Sequence, residues 1–325
     1  SAFRGEFNGN GRKITGLFIN RAANNQGLFG YLEGAWIREL ELENISITGA
    51  IGCGGITGIQ ASGLIIGCQV SGNIFGTWRI GGVAGEQQSN IKSCQTSGTV
   101  SGSQYVGGMS GYMASGEASI TNSSSECTVN GLSGTGIGGF SGYSNGALTN
   151  CYASGNVSGG SEVGGFIGLT QVNTTVNACY SLGLVQASDE HVGGFAGKLS
   201  PRTNVNHCYS LSNVIRTNGT NATFAAFCGL NEDAAIKHCY ATGSVTTSGG
   251  SYLAGKGFTG DIITGDYIVM TGNYFDMNTS GLNIGLGATG KPTQQMMVTS
   301  TFEDWDFEHV WDIDYYESYP FLRHE

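Results

Sequence analysis

Nine cysteines and five histidines are the first residues to test for chemistry in this chain of 325 residues. Seven of the cysteines, Cys68, Cys94, Cys127, Cys151, Cys179, Cys208 and Cys239, recur at intervals of 24 to 33 residues. A tetrahedral metal site draws its ligands from closely spaced pairs, and His191, His207, His238, His309 and His324 show no such spacing. One cysteine per long interval is instead the pattern of a stacked column. Adjacent rungs of a parallel sheet stand about 4.8 Å apart, near bridging distance, but parallel side-chain vectors disfavour a disulfide. The seven read as a ladder of buried free thiols packing as small apolar residues, with Leu40 in the same column. Cys53 and Cys228 fall outside it and read as further packing residues.

Two outward columns carry the other candidate chemistry. Arg79, Tyr105, Glu162 and His191 each stand just before a Gly-Gly-apolar-x-Gly motif, with Gly136 interrupting the series, and Glu86, Tyr112, Tyr143 and Lys198 stand just after one. Neighbouring polar and aromatic columns could form a shallow sugar-binding groove. They could also form a lyase-like site in which Tyr or His takes a proton while Arg or Lys steadies a uronate carboxylate. Their plain alternative is a solvated face of mixed charge. Glycoside hydrolysis needs paired carboxylates at a set separation, and the acids of the repeat region, such as Glu117, Glu126, Asp189, Glu190, Glu232 and Asp233, share no column. The densest group of acids lies in the tail, where Asp312 and Asp314 could offer oxygen ligands to calcium although the EF-hand spacing is absent. Trp305, Phe307, Trp311, Tyr315 and Tyr316 interleave with these acids, which is the composition expected of a cap over an unpaired sheet edge.

The elements that must position these residues repeat. The motif occurs as Gly54-Gly55-Ile56-Thr57-Gly58, Gly81-Gly82-Val83-Ala84-Gly85, Gly107-Gly108-Met109-Ser110-Gly111 and onward to Gly193-Gly194-Phe195-Ala196-Gly197. An early copy is Gly27-Leu28-Phe29-Gly30, and degenerate ones are Ala225-Ala226-Phe227-Cys228-Gly229 and Lys256-Gly257-Phe258-Thr259-Gly260. Their central apolar residues fall 26 to 32 positions apart. Each period holds three short alternating segments punctuated by Gly, Asn and Ser, with no sustained helical period, so each period is one coil of strands. Nine coils stacked at the strand spacing make a rod roughly 40 Å long. The paired glycines supply either positive φ or a close backbone approach at a corner. Ala225-Ala226 in one copy points to close approach.

Composition narrows the partners. The 56 glycines and 12% charged residues fit no average globular domain, and a net charge of -10 with only 14 Lys and Arg leaves no basic stripe for a phosphate backbone or an anionic leaflet. No apolar run is long enough to cross a bilayer, so neither nucleic acid nor membrane insertion is expected. The chain opens at Ser1 rather than methionine, which suggests a mature or trimmed product with any export or anchoring segment outside these residues. Seven Asn-x-Ser/Thr sequons, at Asn44, Asn122, Asn156, Asn173, Asn218, Asn221 and Asn278, are expected by chance in a chain so rich in these residues.

Gly-Gly-Phe-x-Gly alternating with Asn-Cys-Tyr-x-Ser/Thr-Gly-x-Val, as in Asn150-Cys151-Tyr152-Ala153-Ser154-Gly155-Asn156-Val157, resembles the GLUG repeat. That family occurs in bacterial surface proteins, in adhesins and N-terminal to some immunoglobulin A1 peptidases. The lead-in Phe3-Arg4-Gly5-Glu6-Phe7-Asn8-Gly9-Asn10-Gly11 and the tail Thr301-Phe302-Glu303-Asp304-Trp305-Asp306-Phe307 resemble the segments that flank such arrays. The resemblance implies an all-β, right-handed parallel β-solenoid of about nine coils with three short strands per coil, exported to the cell surface or secreted. A zinc peptidase activity does not carry over, because His-Glu-x-x-His is absent. The organisation expected is a lead-in and first coil over 1–50, GLUG-like coils over 51–261 and a C-terminal capping segment over 262–325.

Three functions follow from this reading. The first is a non-catalytic, adhesin-like module that needs no cofactor and presents a rigid face to a glycan or to a host or neighbour-cell surface protein. The second is a polysaccharide lyase or hydrolase, and the third is a structural spacer or self-assembling filament subunit.

Overall fold

A computed structural model describes residues 1–217, 223–248 and 256–325, and the sequons at Asn218 and Asn221 lie outside these described residues. The chain is a parallel β-solenoid. One sheet of nine parallel strands runs from Phe29–Leu32 through Thr57–Gln60, Ala84–Gln87 and Ser110–Met113 to Thr259–Ile263, one strand for each copy of the glycine motif. A second sheet of seven strands runs from Ile51–Gly54 to Phe224–Ala225, and a third, broader sheet takes up the remaining segments from Glu6–Thr15 to Thr289–Lys291. The third sheet receives two short strands from the early coils, as in Gly63–Ile66 and Gln69–Phe75, and three from later ones, as in Ala147–Thr149, Tyr152–Ala153 and Val157–Gly159, with a bend just before the cysteine column.

The interior is built from ladders. Phe140, Phe166, Phe195, Phe227 and Phe258 are fully buried, and successive rings stack with centroids 4.6 to 5.1 Å apart. Each buried ring is worth about 1.5 to 3 kcal/mol of transfer free energy. The register that aligns it with its neighbours also aligns every other position of the coil.

The glycine pairs work by close approach, not by positive φ. A Cβ on Gly81 would stand 2.1 Å from the Ala84 carbonyl oxygen, and one on Gly165 would stand 2.1 Å from that of Gly194. The left-handed backbone lies instead two residues upstream of each pair. Gly52, Arg79, Tyr105, Gly136, Glu162 and His191 form one in-register column with φ between 51 and 70°. A second left-handed column includes Ser93, Asn122, Asn150, Ala178, His207 and His238, each preceding the residue at the cysteine position.

All nine cysteines are buried and free. In the ladder each thiol donates to the carbonyl two residues upstream, from Cys94 to Lys92 at 3.3 Å, from Cys151 to Thr149 at 3.2 Å and from Cys239 to Lys237 at 3.1 Å. One position departs from the sequence reading. Gln95 pairs with Ser124 and Ser124 with Tyr152, so Ser123, not Cys127, stands between Cys94 and Cys151. Its hydroxyl oxygen accepts the Cys94 N–H at 3.0 Å. The extra residues of this coil fall before Ile120, in the turn around Gly116, so no shift is left to carry Cys127 into the column; it lies opposite Gly98. Asn273 ends the ladder by accepting the Cys239 N–H and donating to the Ile236 carbonyl.

The C-terminal part covers the solenoid in two places. Residues 277–291 lie over the end of the core, where the Gly257 N–H donates to the Ile284 carbonyl and Phe275 packs beside Gly257 and Gly285. The aromatic tail turns back along the outside of the third sheet. There Trp305, Trp311, Phe302 and Leu322 bury against Tyr180, Tyr209, Tyr240 and Tyr274.

Candidate functional site

Alternation along each strand turns the residues after the glycine motif outward, and the left-handed bend before it throws a second side chain onto the same corner. The two outward columns therefore meet between the first and second sheets. In the third to fifth coils they form one cluster. The Arg79 guanidinium lies 4.1 Å from the Trp78 ring centroid and 4.5 Å from that of Tyr112, and it is ion-paired with Glu86. Gln88 donates to the other Glu86 oxygen at 2.7 Å. Tyr112 and Tyr143 stack at 4.5 Å, and Tyr105 leans on both at 5.4 and 5.3 Å. Trp78 is the member that sequence reasoning missed; its signal was its place immediately before Arg79.

The remaining nominated residues do not join this cluster. Glu162 lies two rungs beyond Tyr105 and accepts a hydrogen bond from the Thr135 hydroxyl at 2.7 Å. Lys198 is ion-paired with Glu232 at 2.8 Å. His191 stands three rungs beyond Tyr105, about 14 Å away at the strand spacing, and Arg79 is one rung further still. A proton acceptor at His191 and a carboxylate clamp at Arg79 therefore cannot address one sugar ring. The phenols also resist ionising, so few would be present as proton acceptors. Burial, then the charges of Glu162 and Tyr112, raises the Tyr105 hydroxyl, and burial with Tyr112 and Tyr105 pushes Tyr143 up to about 12.

In the tail, Asp312 is committed to Arg323 at 2.9 Å, and the Asp314 N–H donates to the Ser318 hydroxyl. Among the described residues no group of three or more His, Cys, Asp or Glu side chains could hold a metal ion, and no helix is long and apolar enough to cross a membrane.

A second feature went unread in the sequence. The residue after each cysteine position faces outward, and Tyr152, Tyr180, Tyr209 and Tyr240 stack there with centroids 4.7 to 5.1 Å apart and planes within 10°. The tail covers the far rungs. Tyr240 donates to the Pro320 carbonyl at 2.6 Å, Tyr209 to the Glu325 carboxylate at 2.9 Å, and the Glu303 N–H donates to the Tyr274 hydroxyl at 3.2 Å. Strict alternation from the inward cysteine would have placed the tyrosines outside. Nothing periodic marked the tail as their cover.

No family model matches the chain, and no curated protein matches it. Among solved structures it is similar to the 1.30 Å crystal structure of a protein provisionally named an immunoglobulin A1 protease, from Bacteroides ovatus. The two are 17% identical, and the match covers 98% of this chain and 78% of that one with a TM-score of 0.40.

Proposed function

We propose that this solenoid is a non-catalytic, adhesin-like module of the GLUG-repeat type, secreted or held at a cell surface, that presents the Trp78–Tyr143 corner of a rigid rod to a partner. The observation that carries the reading is the cluster itself. Trp, Tyr and Arg are the residues that concentrate binding energy at protein interfaces, because they bring large area at low conformational cost. Here three tyrosines, one tryptophan and one arginine are already packed together and half-buried before any partner arrives. Their preorganisation lowers the entropic cost of binding. Because the ring faces are largely taken up by one another and by the guanidinium, the corner suits a host or neighbour-cell surface protein better than a stacked sugar.

The lyase reading loses support from the same geometry, since His191 and Arg79 stand four rungs apart and Lys198, on the rung of His191, is ion-paired with Glu232. The test is binding of the labelled chain to intact cells, compared with a Tyr105→Ala, Tyr143→Ala double variant. Loss of at least tenfold in affinity supports the reading, matching the cost of removing aromatic anchors. In parallel, acidic and neutral polysaccharides are incubated with the chain and assayed for reducing ends and unsaturated products. Cleavage that disappears in Tyr105→Phe or His191→Ala overturns it.

A further inference from the structure

The tyrosine ladder on the flank continues past the point where the tail stops. Its column runs in register through Glu41, Gln69, Gln95, Ser124, Tyr152 and Tyr180 before it passes under the tail at Tyr209. Two concavities lie along this open stretch and share Gln95 and Ser124, so they form one groove. One end is closed by His324 and Glu325, the last residues of the tail. Five rung intervals make the groove about 24 Å long.

The lining is ordered and polar. Asn122 and Asn150, both fixed by left-handed backbone, run beside the tyrosines, and the Asn150 amide donates to the Asn122 side-chain oxygen at 3.1 Å. Under the tail, the hydroxyls of Tyr209, Tyr240 and Tyr274 each engage a group of the chain itself. The hydroxyls of Tyr180 and Tyr152 on the next two rungs hold no hydrogen-bond partner among the described residues. The tail thus shows what these rungs take up; past its end Tyr152 stands partly open, while Tyr180 lines the groove but is already only 8% exposed against the tail.

We propose that this groove binds a neutral linear glycan lying along the rod axis, at a site separate from the Trp78–Tyr143 corner. Amides, hydroxyls and phenols both donate and accept, which matches a chain of sugar hydroxyls, and stacked tyrosines at one end supply an amphipathic platform. The charges bordering the groove disfavour an acidic polymer. Glu41, Glu126 and Glu325 line it, and Lys13 beside it is paired with Glu41 at 3.0 Å and with Glu43 at 3.5 Å, which leaves Lys92, three residues before Gln95, against three carboxylates. A peptide resembling the tail fits less well, because the tail buries Trp305 and Trp311 among tyrosines and histidines, whereas the open stretch beyond Tyr152 is lined mostly by Gln, Ser, Thr and Glu and offers no aromatic ring.

The test is calorimetric titration of the full chain with hexasaccharides of glucose, mannose and xylose. Polygalacturonate serves as the acidic probe and a synthetic peptide of residues 301–323 as the peptide probe. We expect at least one neutral hexasaccharide to bind. Tyr152→Ala should weaken that binding about tenfold, and Gln95→Ala or Asn150→Ala by about three- to tenfold. Gln95 is exposed, so its variant stays folded even if Tyr152→Ala does not. Tyr143→Ala should leave glycan binding unchanged, which separates this site from the corner. Binding of none of the neutral oligomers, binding only of polygalacturonate or the peptide, or sensitivity to Tyr143→Ala without sensitivity to Gln95→Ala overturns the proposal.

Discussion

The Tyr240 hydroxyl, in a residue only 1% exposed, donates a 2.6 Å hydrogen bond to the carbonyl oxygen of Pro320, 80 residues further along the chain. This bond pins the returning tail to the middle of the tyrosine ladder. Replacing Tyr240 with Phe keeps the stacked ring and leaves a buried carbonyl without its donor, at a cost of about 1 to 3 kcal/mol. The loss should fall on the tail. Thermal unfolding followed by Trp305 and Trp311 fluorescence should begin at lower temperature than unfolding followed by far-ultraviolet dichroism, and the tail should become the first site of proteolysis. Coincident, unshifted transitions would show that the bond does not hold the tail.

Protonation should loosen the same interface from the acid side. Burial, then the neighbouring His238, holds His207 below its ordinary value, against the pull of Asp306. Burial also lowers His238, with Asp304 opposing and Lys237 assisting. The folded chain therefore binds fewer protons at these rings than the unfolded chain. Their contribution is complete above the unfolded value of about 6.5 and drains away as pH falls below it. Glu325 acts in the opposite sense at lower pH, because burial raises its carboxyl above 4.5 and some stability returns as that group protonates. The Trp-monitored midpoint should thus drop most steeply just below pH 6.5. A His207→Asn, His238→Asn double variant, whose new residues suit the left-handed backbone, should flatten that drop.

Much of this architecture was legible because one residue type recurs in one structural slot. Phe140, Phe166 and Phe195 announce the inward column, and Cys151, Cys179 and Cys208 announce the bend. Where a slot changes residue the reading slipped, as at Ser123, because a column read by letter follows the letter to Cys127 and an insertion can lie on either side of it. The corner cluster was half legible. Arg79, Glu86, Tyr105, Tyr112 and Tyr143 were nominated as columns, but spacing gives rung order without saying how far along the rod a cluster extends, so His191 and Lys198 were grouped with residues several rungs away. The tail's position was not legible at all. Its partners lie 80 and 116 residues distant at Tyr240 and Tyr209, and its own sequence carries no repeat to set a register.

The thiol ladder predicts chemical silence. Burial raises Cys151, Cys179 and Cys208 well above the ordinary thiol range and pushes Cys53 and Cys127 up to about 11. Cys68 is lowered by the hydrogen bond from Cys94, yet it is fully buried, so no reagent reaches it. Reactivity needs an accessible thiolate. The native chain should show none of its nine thiols to a disulfide-exchange reagent at pH 8, and all nine in denaturant. Reductant should not move the melting temperature. A melting temperature that falls with reductant would mean that neighbouring rungs are bridged.

The left-handed columns predict where stability can be gained. Ala178 has φ 52° in a column otherwise held by residues such as Asn122, Asn150, His207 and Gly272. For an alanine this conformation costs about 1 to 2 kcal/mol, because Cβ crowds the following carbonyl oxygen, whereas glycine carries no such penalty and asparagine less of it. Ala178→Gly should therefore raise stability by roughly 1 kcal/mol after the loss of one methyl contact with the tail and the greater chain entropy of glycine are subtracted. Asn150→Val should lower it by more than that, since a β-branched side chain suits this backbone least. Equilibrium denaturation of the two variants checks the pair together. If Ala178→Gly were destabilising, the column would be held by the contact between Ala178 and the tail, and deleting the tail from Thr301 onward would then reverse the sign of the substitution.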